Sequence, residues 1–369
     1  MKGIALCQKG FENIASDEIN ELIFKESIKN NGYLIFDIDN LNEIFKLCYL
    51  SRSLSKVMLL FNSFKFDNSN FQYNLIKSNL PYNDLKEWLE NNTFKVNTIK
   101  LLELDENSTK ISSKIGEFII NKISTKVDLE NPKYILTNII SKNNIYVGID
   151  FSRFDLSKRD YKIYNFASSL NGSFAYCVLK SGGWTKDKSI IDPMCGSGVI
   201  AIEAALKYAN KSPQFYRKNN FNLEFNFEKF DLKINKNYKD SKIYCYDYML
   251  NCINTSKNNA KIADIDKYIN FSKTELEWLE TRFDENSIDY IVTNPSEASK
   301  HCNIKKIKKL YDELFYQSKF ILKKNGTLTI VTRSNNLIIE FAKKHKFNMI
   351  ENKEVYQGKQ KYSLIILKK

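Results

Sequence analysis

The chain has 369 residues, 43% of them hydrophobic, with a mean hydropathy of −0.41; that is enough for two or three globular domains, and no apolar run approaches the ~20 residues that cross a bilayer. The N-terminus lacks the apolar core and cleavage site of a secretory leader, and seven scattered cysteines without a C-x-x-C pair, with two histidines, argue against a disulfide framework or a zinc site and for a reducing cytoplasm. The net charge of +13 is uneven: residues 1–150 hold 18 basic and 19 acidic side chains, so the excess lies in residues 151–369, which suits a polyanion such as RNA or DNA or else reflects the Lys and Asn codons of an A/T-rich genome.

Lys2 to Gln8 reads as a strand, Ile14 to Phe24 as a helix burying Ile19, Leu22 and Ile23, Tyr33 to Ile38 as a strand, Leu41 to Tyr49 as a helix and Val57 to Phe61 as a strand. This order with short connections predicts a ferredoxin-like unit. A polar passage at Asp67 to Asn79 marks a boundary, and a second small α/β unit follows. It comprises a helix at Asp84 to Glu90, a strand at Thr93 to Leu102 and a helix capped by Ser108 with Ile111, Ile115, Phe118, Ile119 and Ile123 at helical spacing. A strand at Lys126 to Leu129, a helix at Pro132 to Ile140 and a strand at Ile145 to Asp150 complete it. Residues 1–150 show no catalytic constellation. Residues 151–175 turn basic and aromatic (Lys158, Arg159, Tyr161, Lys162, Tyr164), a mix that suits phosphate contact and base stacking, or an ordinary surface linker.

Ser189-Ile190-Ile191 then reads as a buried parallel strand. It ends in Asp192-Pro193 and a turn with Gly196 and Gly198, and a helix runs from Val199 to Leu206. Strand, glycine turn and helix form the nucleotide-cradling unit of doubly wound sheets, because glycine admits the ligand and the helix start offers free N–H groups. The spacing is neither the full G-x-G-x-x-G fingerprint nor a P-loop, so the flanks must decide. After a polar insertion at Lys211 to Lys242 comes the strand Lys242 to Asp247. Asp247 stands where a carboxylate holds a ribose, or where a helix N-cap would sit. A strand near Tyr268 to Phe271 leads to Thr274 and Glu275, placed to touch an adenine amine. The strand Ile288 to Thr293 runs into Asn294-Pro295-Ser296-Glu297. A helix (Ile304 to Leu322), a strand (Thr327 to Thr332), a helix (Ile338 to His345) and a strand pair (Asn348 to Val355, Tyr362 to Leu367) predict a mostly parallel sheet ending in an antiparallel strand.

Asp192-Pro193-Met194-Cys195-Gly196-Ser197-Gly198 with Asn294-Pro295 downstream resembles class I S-adenosylmethionine-dependent methyltransferases. With Ile202-Glu203-Ala204-Ala205, Ser51 to Val57, Asn131-Pro132, Tyr146 to Asp150 and Leu156 to Tyr161, the whole chain resembles the THUMP-containing RNA guanine-N2 methyltransferases. The insertion (Ser212-Pro213, Arg217, Phe227 to Phe230) resembles that of the archaeal acceptor-stem tRNA branch and its ribosomal relatives. The resemblance implies an α/β fold with a ferredoxin-like domain (1–64), a THUMP domain (65–152), a linker (153–172) and a Rossmann-like methyltransferase domain (173–369). It further implies a cytoplasmic monomer that uses S-adenosylmethionine to methylate guanine N2 in tRNA, or in ribosomal RNA. Asp192, Met194, Cys195, Gly196, Gly198, Asp247, Tyr248, Glu275 and Asn294 are then expected at the cofactor. Asn294 and Pro295 would act in catalysis, and Ser296, Glu297, Lys158 and Arg159 on the RNA.

The chain departs from the family where an aromatic usually follows Asn-Pro-Pro. Ser296-Glu297 offers no stacking surface, a loss of about 1–3 kcal/mol per base. Phe166 or Tyr164 is then the candidate substitute, Glu297 a candidate acceptor for a guanine edge, and an RNA-binding protein without catalysis the reading of another class. The run Lys305 to Lys309 reads as a solvated helix face or a phosphate contact, and Cys195 and Cys302 are not placed like catalytic nucleophiles.

Overall fold

The computed structural model describes residues 1–66, 71–166, 168–221, 225–297 and 303–369. The chain opens with β1 (Lys2–Cys7), α1 (Glu12–Ile23), β2 (Ser27–Asn30), β3 (Tyr33–Asp37), α2 (Leu41–Leu50) and β4 (Leu54–Lys65). The strands lie in the order β2-β3-β1-β4, the ferredoxin-like arrangement. The sequence carries no periodic signal for β2, which is four residues long and forms by pairing with β3, Ser27↔Phe36 to Asn30↔Tyr33.

The second unit runs α3 (Tyr73–Asn79), α4 (Tyr82–Leu89), β5 (Thr93–Lys100), α5 (Ser108–Ile120), β6 (Lys126–Val127), β7 (Tyr134–Ile140) and β8 (Asn144–Asp150). Here the helix expected at Pro132 to Ile140 is corrected to the strand β7. It lies between β5, parallel to it, and β8, antiparallel, and all but its first residue are buried. A strand covered on both faces loses its polar–apolar alternation and reads as a buried helix would. The polar passage begins at residues 67–70, outside the described residues, and ends in α3. The two units share one sheet, because the long β4 pairs with β1 along one edge and with β8 along the other, Met58↔Asp150 to Lys65↔Asn144.

The second sheet begins after α6 (Gly172–Ser181). It is built from β9 (Ile190–Asp192), α7 (Val199–Tyr208), β10 (Ile243–Asp247), α8 (Leu250–Ile262), β11 (Ile269–Lys273), β12 (Ile288–Thr293), α9 (Ile304–Ile321), β13 (Leu322–Thr332), α10 (Asn335–Lys344), β14 (Asn348–Gln357) and β15 (Gln360–Lys368). The strand order is β11-β10-β9-β12-β13-β15-β14, parallel from β11 to β13, with β15 antiparallel to both its neighbours. Apolar residues of α6, α7 and α8 pack on one face (Phe174, Val178, Ile202, Ile253) and those of α9 and α10 on the other (Ile307, Leu314, Phe315, Ile338). The chain leaves β9 towards β11 and returns to β12 on the opposite side. That reversal opens a crevice at the carboxyl ends of β9, β10 and β12.

The insertion between α7 and β10 folds back on the first unit. Phe225 and Phe227 place their rings 4.4 and 6.2 Å from that of Phe45 on α2, and Phe221 stacks on Phe227 at 4.7 Å. Aromatic burial of this kind contributes large apolar area and fastens the insertion to the N-terminal unit. Gln8 and Tyr356 add polar ties, Gln8 donating to the Ser173 hydroxyl at 3.3 Å and the Tyr356 N–H donating to the Lys9 carbonyl at 2.9 Å.

Candidate active site

The crevice is organised by two buried carboxylates, Asp192 at the end of β9 and Asp247 at the end of β10. Asp192 Oδ1 accepts from the Thr293 hydroxyl at 2.8 Å and from the Met194 N–H at 3.2 Å. Burial pushes its carboxyl up to about 7, the two hydrogen bonds opposing and the nearby Asp247 adding to the rise. Asp247 accepts from the Gly196 N–H at 3.0 Å and the Met249 N–H at 2.9 Å, and burial raises it as well. Asp247 therefore closes the glycine turn and does not cap α8, whose N-cap is Met249 with no side-chain cap hydrogen bond. Two carboxylates kept from water by the fold lower the cost of binding a cationic ligand beside them.

The turn is shaped by its glycines. Gly198 starts α7 with φ at 79°, donates to the Cys195 carbonyl at 2.8 Å, and a Cβ there would stand 2.6 Å from the Ser256 Cβ of α8. Gly196 has φ at 52° and would meet nothing within 4 Å. Its left-handed backbone is what the turn requires, and the space beside it is open to a ligand. Met194 is half-buried, and Cys195 is buried, its thiol raised well above the ordinary range by desolvation. Tyr248 is exposed directly after Asp247, and Glu275 is exposed after the carboxyl end of β11, whose Lys273 pairs with Asp247. Thr274 is tied in by its N–H to the Asp247 carbonyl at 2.9 Å.

Across the crevice Asn294 follows β12, half-buried, and its Nδ2 donates to the Ser168 carbonyl at 3.3 Å; Pro295 is buried beside it. The linker contributes more than the sequence suggests. Ser169 Oγ lies 2.8 Å from Ser197 Oγ in the glycine turn. Asn259 of α8 accepts from the Tyr164 N–H at 3.1 Å and donates to the carbonyls of Tyr164 and Ser197 at 2.9 and 3.1 Å. The linker is thus pinned to both sides of the crevice, with the Tyr164 side chain exposed and Phe166 half-buried. Sequence reasoning missed Thr293, Ser168, Ser169 and Asn259. The available signal was on α8, whose buried stripe of Cys252, Ile253, Ser256, Asn259 and Ala260 carries two polar residues.

Two RNA-contact expectations are corrected. Arg159 has no exposed side-chain surface. It pairs with Glu203 of α7 at 2.8 Å and donates to the Arg52 carbonyl at 2.8 Å, while the Tyr161 hydroxyl donates to the same Glu203 at 2.9 Å. Arg52 in turn donates to the Leu206 carbonyl, and its N–H to Glu18 of α1. A desolvated guanidinium held this way joins the linker, the N-terminal unit and α7 and cannot reach a phosphate. Glu297 is likewise not an open acceptor for a guanine edge, because Thr332 and Arg333 occupy both its oxygens. Lys158 and Ser296 are exposed. Lys305, Lys306, Lys308 and Lys309 are exposed around a buried Ile307, the latter two paired with Glu340 and Glu277, as on a solvated helix face. Cys302 lies outside the described residues, and among those described no cluster of His, Cys, Asp or Glu could hold a metal ion.

Residues 159–363 match the RMKL-like, methyltransferase domain family (UPF0020), and residues 82–150 match the THUMP domain. The chain is 29% identical over 366 residues, 95% of each chain, to the tRNA (guanine(6)-N2)-methyltransferase of Methanocaldococcus jannaschii, and 26% identical to the enzyme of the same name from Archaeoglobus fulgidus, covering 90% of this chain and 83% of that one. Its fold is shared with SMU.472, whose crystal structure was solved in complex with S-adenosylhomocysteine, at a TM-score of 0.82 and 20% identity over 99% of this chain and 97% of that one. The first family match spans more than half of the sequence and contains both the glycine turn and the Asn294 crevice, so the chain belongs to the RMKL-like methyltransferase-domain family.

Proposed function

We propose that this protein is a tRNA methyltransferase that transfers a methyl group from S-adenosylmethionine to the exocyclic N2 of a guanosine, with the acceptor stem as the favoured target, acting as a cytoplasmic monomer. The observation that carries the reading is one crevice that joins a carboxylate-lined glycine turn to Asn294-Pro295. The names of the two archaeal relatives support tRNA and guanine N2. The uneven positive charge supports a nucleic-acid partner. We take residues 65–152 as the THUMP module that grips the RNA, 1–64 and 153–172 as the units joining it to the catalytic domain, and 173–369 as that domain. Among the described residues no helix is long and apolar enough to cross a membrane.

The pocket fits the cofactor on its own terms: a buried carboxylate at Asp192, an open space at Gly196 and an acid at the end of β10. Asp192 would hold the amino group, the turn from Met194 to Gly198 the methionine part, Asp247 the ribose, and Tyr248 and Glu275 the adenine side. When bound, S-adenosylmethionine supplies an electrophilic methyl group. The chain's own work is then positioning, which accounts for most of the rate in a displacement of this kind. The Asn294 amide nitrogen is held by Ser168, which leaves Oδ1 as its acceptor end. Oδ1 and the Pro295 carbonyl would take the amine's hydrogens and leave the nitrogen lone pair for the methyl carbon. A paired guanine reaches such a crevice only when flipped from its helix. Tyr164, exposed on a backbone fixed by Asn259, or the half-buried Phe166 would then stack on it.

The test is tritium transfer from labelled cofactor into total tRNA with nucleoside analysis. N2-methylguanosine is expected. Binding of tRNA with a steep salt dependence but no transfer would favour a non-catalytic RNA-binding protein, and transfer confined to ribosomal RNA would move the substrate.

A further inference from the structure

The turn that presents Asn294 and Pro295 is held from two sides by residues outside the cofactor pocket. Glu297, three positions past Asn294, has a side chain only 11% exposed, against 53% for its partner Arg333. Its Oε1 accepts from the Thr332 hydroxyl at 2.8 Å and from the Arg333 N–H, and its Oε2 accepts from Arg333 Nε at 2.7 Å. Thr332 and Arg333 stand at the carboxyl end of β13, the strand that pairs with β12 through Thr293↔Ile330. On the other side the fully buried Tyr311 of α9 donates its hydroxyl to the Ser296 carbonyl at 3.0 Å.

We propose that Glu297, anchored by Thr332 and Arg333 and seconded by Tyr311, is a positioning residue: it braces the 294–297 turn so that Asn294 Oδ1 and the Pro295 carbonyl stay in line with the target amine. A carboxylate accepting from three donors, one of them charged, anchors more strongly than a neutral side chain would. Placement matters in proportion, because a misplacement of about 1 Å costs roughly a hundredfold in transfer rate. The turn carries no ring at 296 or 297, so its order before the base arrives has to come from such ties. For its kinetic consequence the inference rests on the methyltransferase reading; for the order of the turn it does not.

Four variants, the last of them Tyr311→Phe, separate the parts. Glu297→Ala removes the ties to Thr332 and Arg333 and leaves that of Tyr311. Glu297→Gln keeps an oxygen for Thr332 and the Arg333 N–H but loses the ion pair. Arg333→Met loses the guanidinium and keeps the main-chain donor. Each is measured for kcat and both KM values on tRNA, for S-adenosylhomocysteine affinity by calorimetry, for thermal stability and for hydrogen–deuterium exchange over residues 293–297 and 332–334. The brace predicts that Glu297→Ala lowers kcat by about tenfold or more at saturating substrates. Cofactor affinity should stay unchanged and exchange should become faster in both segments, with Glu297→Gln and Arg333→Met in between. Tyr311→Phe should speed exchange at 293–297 alone. Wild-type kcat in Glu297→Ala, or wild-type exchange in the turn, overturns the proposal. So does an Arg333→Met variant as slow as Glu297→Ala with exchange unaltered, since that result makes Arg333 an RNA contact. If the wild-type protein methylates no RNA, the enzymatic reading falls, and the exchange data alone decide whether the turn is braced.

Discussion

Asp192→Asn is the substitution whose effect follows most directly from the site. Asparagine keeps an oxygen for the Thr293 hydroxyl and the Met194 N–H, so packing and hydrogen bonding change little while the charge is removed. The wild-type carboxyl stands at about 7 in the folded chain, chiefly through burial, against about 3.9 in an unfolded one. Because the folded value is the raised one, the group's contribution to stability is fully present below about pH 3.9 and is lost as pH rises through about 7, an amount of roughly 4 kcal/mol. In the absence of cofactor the variant should thus gain on the wild type as pH rises from 5 to 8, in a denaturant or thermal titration at half-unit steps. Binding should run the other way. A cationic amino group needs the ionised carboxylate, so S-adenosylhomocysteine affinity of the wild type should improve about tenfold per pH unit up to about 7 and then level off. The variant should bind weakly with no such rise. Parallel stability curves for the two proteins, or a pH-independent wild-type affinity, would refute the reasoning.

Three further outcomes follow from particular contacts. Gly198→Ala combines a left-handed backbone with a Cβ 2.6 Å from Ser256; it should cost at least about 1–2 kcal/mol from the backbone alone and weaken cofactor binding, read by denaturant melts and calorimetry. Glu203→Ala strands the buried Arg159 guanidinium and should destabilise by about 3–5 kcal/mol, whereas Lys309→Ala, whose ion pair with Glu277 is exposed, should change stability by less than about 1 kcal/mol. Filter binding of tRNA at 50 and 200 mM salt should show affinity falling by orders of magnitude if several phosphates are contacted, and an unchanged affinity would count against the charge argument.

The glycine-turn half of the candidate site was legible in the sequence as geometry because its constraints are local. A strand end, two glycines with positive φ and an acid at the next strand end recur at short spacing, and the structure brings Asp192, Gly196, Gly198 and Asp247 together. What was not legible depends on long-range packing. β7 reads as a helix because neighbours on both faces remove its alternation. Arg159 looks like a phosphate contact in a basic linker, and only the burial of that linker between two units against Glu203 turns it into a structural ion pair. Glu297 looks like a free acceptor until β13 delivers Thr332 and Arg333 to it. The ferredoxin-like order was readable from its longer strands, while β2 exists through pairing with β3 rather than through any pattern of its own.

On the proposed function, Asn294 serves methyl transfer to a guanine amine at this crevice. The most direct measurement is a mass-spectrometric map of modified nucleosides in tRNA incubated with the protein and S-adenosylmethionine, run beside Asn294→Ala. The account predicts N2-methylguanosine at a defined position with the wild type, and its loss in the variant while S-adenosylhomocysteine affinity stays within about threefold. A wild-type map without N2-methylguanosine, or a variant that still forms it at the wild-type rate, would contradict the account.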